Sequence, residues 1–300
     1  MPSYATHHIF AATVQRVTGD SVARIAAAYP AGYRWGAQGP EPLCLYHAPF
    51  PSQMRRLAQR MRTEPPAPLF EALCEAAVRE HNTAALAYVF GFCTNYALDR
   101  VTHAFIGAQA DRLALYVPGY SVEARRKLVE SDIDGIMIAG FIAAEPAKFE
   151  AYRLLDPNAA ECTVLSRVVA SAAKSVYEMR VPPAAVYHSL HDMRRILHLT
   201  HSGSLARGRL QWVERLFGKA GQASSLIRPA EPLAADCANE EHRPWLSDGV
   251  ERTDSFCDLF DAAVPLAVSL QRAVLDRYYQ QKPLDPRFFP TDFTGTVAKS

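Results

Sequence analysis

Apolar residues recur along most of the chain at the three- and four-residue spacings of helix faces. No run of alternating β-branched residues bounded by hairpin turns stands out. The pattern predicts an all-α, multi-helix bundle. Its first half reads as helices over about Tyr4–Val17, Gln53–Met61, Pro68–Glu80, Thr83–Ile106 and Val122–Ala143. A Pro/Gly-rich loop is expected over about Pro30–Ser52. Pro65, Pro66 and Pro68 punctuate one junction, because proline removes a ladder hydrogen bond and restricts the residue before it. The second half predicts helices over about Asn158–Met179, Ala184–Thr200, Ser204–Leu216 and Asp254–Gln281. Pro182 and Pro183 separate the first two of these. The irregular stretch Gly218–Arg252 is long for a compact domain, and its His242 and Trp245 suggest a segment docked on the surface. After Pro283 the tail is expected to be extended, with Phe288 and Phe289 as candidates to pin it down. No internal repeat or low-complexity tract appears, and residues 1–300 are read as one domain.

Length and composition limit the classes. A hydrophobic content of 49% over 300 residues supports a substantial core. With 32 basic and 31 acidic side chains the formal charge is +1, so no global field draws the chain to nucleic acid, and no nucleic-acid partner is expected. The apolar stretch Leu86–Ile106 carries Asn95, Asp99, Arg100 and His103, which makes it a core helix and not a membrane span. The start MPSYATHHIFAATV lacks the pattern of a secretory signal, and a cytoplasmic location is the expectation. Six cysteines are scattered without a CxxC pair, and most read as reduced, buried small residues.

Candidate chemistry lies on two predicted helices. Asn95, Asp99 and His103 stand at successive i, i+4 positions and share one face, and Arg126, Glu130 and Asp134 repeat the spacing on the next helix. Imidazole and carboxylate converging inside a bundle suit a metal site. The alternative is a set of hydrogen-bonded or ion-paired contacts without metal.

The segments YATHHIF, GAQGPE, YVFGFCTNYALDRVTHAFI, RKLVESDIDGIMI and NEEHRPW…SFCDLF, in that order over most of the chain, resemble the landmarks of the zinc-dependent phospholipase C family. That family is similar in fold to the single-strand-specific zinc nucleases. The resemblance implies a bundle of this type, with ligand-bearing helices mainly within 1–145 and helices over 158–281 completing it. It also implies up to three zinc ions that activate a water against a phosphoester. By the same resemblance His7, Asp99, His103 and Glu130 occupy metal-ligand positions. Four positions depart from the pattern: Glu41 stands for an aspartate, and Arg62, Asn95 and Arg126 stand for histidines.

These departures weaken the metal site. Glutamate keeps a carboxylate, asparagine offers only a weak carbonyl oxygen, and arginine has no lone pair to donate. Arg62 and Arg126 are therefore expected to supply positive charge where metal would otherwise neutralise Glu41, Asp99 and Glu130. If instead both arginines point to solvent, His7, Asp99, His103 and Glu130 remain as a reduced site for at most one zinc.

Two functional expectations follow. One is a phospholipid or phosphodiester hydrolase with a reduced zinc site. The other is a metal-free pseudoenzyme that binds a phosphate-bearing or other anionic small molecule, or a protein partner. His188, His191, His198 and His201 read as surface or interface histidines, and Arg194, Arg195, Arg207, Arg209, Arg215 and Lys219 as a solvated basic face. No GxSxG elbow or phosphate-cradling loop is present.

Overall fold

A computed structural model describes residues 4–48, 50–200, 236–247 and 249–297. The described residues are mostly helical, as the apolar spacing predicts. The helices are α1 (Tyr4–Val17), α2 (Asp20–Ala28), α3 (Pro30–Ala37), α4 (Glu41–Cys44), α5 (Gln53–Thr63) and α6 (Pro66–Glu80). They continue with α7 (Thr83–Leu113), α8 (Val122–Met137), α9 (Ala159–Tyr177), α10 (Pro183–Thr200) and α11 (Phe256–Gln280). α8 runs on into a π-helical turn, Ile138–Ile142, which ends at Ala143 in the left-handed region. The helix expected over Ser204–Leu216 lies outside the described residues, as does the first part of the stretch that follows it.

α7 is the axis of the molecule. Its residues from Ala84 to Asp99 are all buried, so the helix is covered on every side and needs no polar face. Around it pack α1, α2, α3, α6, α8, α9 and α11. One apolar cluster joins α7 to α3, α5, α6, α9 and α10, and a second joins it to α1, α8 and α11. Side-chain caps start several helices: Asn82 for α7, Ser121 for α8, Asn158 for α9, and Ser255 with Asp258 as a capping box for α11.

The loop expected over Pro30–Ser52 is corrected in part, because two helices, α3 and α4, occupy its first half. Pro30 sits in the first turn of α3, where its missing N–H costs nothing. Gly36 and Gly91 are contact surfaces and not breaks. A Cβ on Gly36 would stand 2.0 Å from the Tyr88 carbonyl oxygen, and one on Gly91 2.0 Å from that of Tyr33. Without side chains between them, the α3 and α7 backbones touch. The chain then turns at Gly39, whose φ of +55° favours glycine and whose Cβ would collide with the Asn95 amide at 2.1 Å.

Two segments expected to be irregular are docked. Trp245–Ser247 and Val250–Arg252 form a small antiparallel pair, and a single antiparallel bridge joins Thr291 to Val297, both departures from an all-helical reading. Trp245 packs edge-on against Phe105 and donates from Nε1 to the Asp254 carbonyl at 3.1 Å. At the tail, Phe289 and Phe293 are buried against Phe70, Phe92 and Tyr96, and the Phe293 N–H donates to the Arg62 carbonyl at 3.2 Å. All six cysteines are free. Among the described residues no helix is long and apolar enough to cross a membrane.

Candidate functional site

The tight α3–α7 crossing and the Gly39 turn deliver Asn95 and Asp99 to the first turns of α1. There the N-terminus of α1 is held from α8: Asp134 accepts from the Ala5 N–H at 3.2 Å, the Thr6 N–H at 2.8 Å and the Thr6 hydroxyl at 2.6 Å. A carboxylate at a helix N-terminus satisfies free backbone donors and complements the dipole. The i, i+4 stripe on α8 is therefore divided in use, with Asp134 serving as a cap for another helix. This anchoring sets His7, 3% exposed, against α7.

His7, Asn95 and Asp99 form the inner group. His7 Nε2 lies 3.2 Å from Asp99 Oδ1, within ion-pair distance. The ring N–H direction still misses the carboxylate, and neither Asp99 oxygen makes a hydrogen bond. Asn95 and Asp99 are fully buried. Asn95 Nδ2 donates to the Ala37 carbonyl at 3.1 Å and faces His7 Nδ1 at 3.3 Å and Nε2 at 3.5 Å.

A second group gathers around Arg62 at the end of α5. Its guanidinium stands 3.5 Å from Glu41, with both side chains about three-quarters buried. Burial works against the Arg62 charge, but Glu41, Cys44, Asp99 and Glu130 outweigh it and raise its pKa. Burial raises the Glu130 carboxyl, Glu41 adding to the effect and Arg62 opposing it. The Tyr4 hydroxyl is pushed well above its ordinary range by burial, then by Glu41, Cys44, Glu130 and Asp134. Burial and Glu41 push the Cys44 thiol up to about 12, so it is no nucleophile at neutral pH.

In the third group Arg126 Nη1 lies 2.7 Å from His103 Nε2. Gly107 leaves room for this guanidinium, since a Cβ there would lie 3.0 Å from Arg126 Nη2. Burial and the neighbouring Arg126 lower the His103 pKa to about 3, so the imidazole is neutral and accepts from the guanidinium. Arg126 Nε and His103 Nδ1 are buried and make no hydrogen bond.

The eight positions singled out in the sequence thus lie in three neighbouring groups around the middle of α7. Both arginines turn inward, Arg62 to Glu41 and Arg126 to His103. Sequence reasoning missed Tyr4, the Ala37 carbonyl and the role of Asp134. Only the GAQGPE turn, which puts Ala37 beside α7, offered a signal.

The donor set does not fit a zinc cluster. Arg126 occupies the Nε2 lone pair of His103, Arg62 is paired with Glu41, and Asn95 presents its N–H side to His7. No group of three or more His, Cys, Asp or Glu side chains converges on a metal position among the described residues. Comparison of the chain with protein-family models, curated proteins and solved structures finds no match.

Proposed function

We propose that the chain is a divergent relative of the zinc-dependent phospholipases C that binds an oxyanion-bearing small molecule without metal and does not hydrolyse phosphoesters. The observation that carries this reading is the pair Arg126 and His103. A guanidinium only donates, so the 2.7 Å contact makes His103 Nε2 the acceptor and places the ring proton on Nδ1. Arg126 Nε–H and His103 Nδ1–H are then two buried donors without partners. Donors left unmet in a buried site are costly, and carboxylate or phosphate oxygens are their complement.

Inorganic phosphate is the first probe, titrated into the full chain and followed by calorimetry. Saturable binding, weakened about tenfold or more in Arg126→Ala, is the expected result. A flat titration would overturn the reading.

A second reading keeps a single zinc on His7, Asp99, His103, Glu130 and Glu41 for phosphoester hydrolysis. The bare, buried Asp99 carboxylate beside His7 favours it. Zinc at one equivalent together with phosphodiester turnover would select this second reading over the first.

A further inference from the structure

We infer that Asn95 and Arg126 act as tautomer locks, which close the two imidazoles of the site to metal by fixing where their single protons sit. The inference takes the placement of the site from the function proposed above but does not depend on phosphate binding.

The Ala37 carbonyl accepts only, so the group 3.1 Å from it is the Asn95 NH2 and not the amide oxygen. The remaining Asn95 N–H faces the His7 ring, with Nδ1 at 3.3 Å and Nε2 at 3.5 Å. Asp99 Oδ1 lies 3.2 Å from Nε2, off the line of the ring N–H. No N–H···O bond joins the two, but a carboxylate this close to a bare lone pair is repulsive, so the proton is favoured on Nε2, which leaves Nδ1 to accept from Asn95. The nitrogen that faces Asp99 has no lone pair left for a cation.

His103 is locked in the opposite sense. Its Nε2 accepts from Arg126, so its proton is on Nδ1. In both rings the nitrogen turned toward a charged neighbour is occupied, in one case by its own proton and in the other by a donor's. Gly39 is part of the first lock: any Cβ there would strike the Asn95 amide at 2.1 Å and turn it out of register. Metal would have to break two hydrogen-bond arrangements before gaining a ligand, which side-chain identity alone does not reveal.

The test is long-range proton–nitrogen NMR on the full chain with nitrogen-15-labelled histidine at neutral pH. The rings are assigned by loss of signals in His7→Gln and His103→Gln. The expected spectrum shows His7 protonated at Nε2 and His103 at Nδ1, each as one tautomer. Asn95→Ala should return His7 to a mixture while leaving His103 unchanged. Arg126→Ala should do the reverse, and Arg126→Lys, which restores a donor, should recover the His103 tautomer. One equivalent of zinc should leave both native spectra unmoved. The opposite tautomer at either ring, or zinc-induced shifts in the native protein, would overturn the inference. Phosphate added to the same sample separates the two ideas, since failure to bind it leaves the tautomers standing.

Discussion

Asp134 on α8 holds the first turn of α1 through the Thr6 hydroxyl at 2.6 Å, and so fixes His7 one residue further along. The pair spans 128 positions in sequence and ties α1 to α8, two of the helices that contribute side chains to the site. Two backbone N–H groups share the same carboxylate. Asp134→Ala is expected to lower stability by about 2 kcal/mol, in the range of a lost cap with extra hydrogen bonds. Asp134→Asn should lose less, because its amide oxygen still accepts. Urea unfolding of the two variants checks this, and equal losses would refute the capping role.

Replacing Gly91 or Gly36 by alanine should be more damaging. Each new Cβ would meet backbone at 2.0 Å, and backbone in a packed helix pair has no cheap way to move. A loss of about 3 kcal/mol or more is expected, with low yield of folded protein. Gly119→Ala is not a fair control, because its φ is +85°. Gly140→Ala is, since nothing lies near it and its φ is not in the left-handed region. Thermal melts of the three variants give the comparison.

Arg62 and Glu41 are expected to be coupled. Removing Arg62 alone leaves Glu41, Asp99 and Glu130 with less positive charge among them, whereas removing both partners relieves part of that imbalance. Partial exposure of the pair limits the coupling to about 1 kcal/mol. A double-mutant cycle with Arg62→Met and Glu41→Gln measures it, and additive effects would show that the contact carries no energy.

Stability should fall on mild acidification. Burial, with Arg34 nearby, lowers the His8 pKa to about 4, and His103 is lowered to about 3. Both lie below the ordinary value near 6.5, so the unfolded chain takes up protons first. The stabilising contribution is complete above about pH 6.5 and is lost as pH falls toward those folded values. His8→Gln should flatten the decline between pH 6.5 and 4 by about 1–2 kcal/mol, read as the change in urea midpoint with pH. A slope unchanged by the substitution would mean that His8 titrates normally.

How much of this was legible depended on how local each cause is. α7 was legible because an apolar pattern at helical spacing needs no partner to be recognised, and Asn95, Asp99 and His103 fall on one face by the same count. α7 continues past Ile106, its expected end, to Leu113, and Gly107 within that extension makes room for Arg126. α3 was hidden because Pro30, Gly32 and Gly36 resemble loop residues until the partner helix is in view. The inward turn of the two arginines followed from charge balance, but which acceptor each would take did not. Asp134 as a cap for α1 was out of reach, because nothing near it in sequence marks the residues it binds.

The glycine crossing also bears on how the site can respond to a ligand. Where backbone meets backbone there are no rotamers to rearrange, so α3 and α7 move as one stiff strut. Asn95, one helical turn beyond Gly91, is carried on that strut, while His103 and Arg126 lie further along and across to α8. Adaptation to guests of different size must then come from the α8 side, and the π-turn that ends this helix is where its ladder is already loosened.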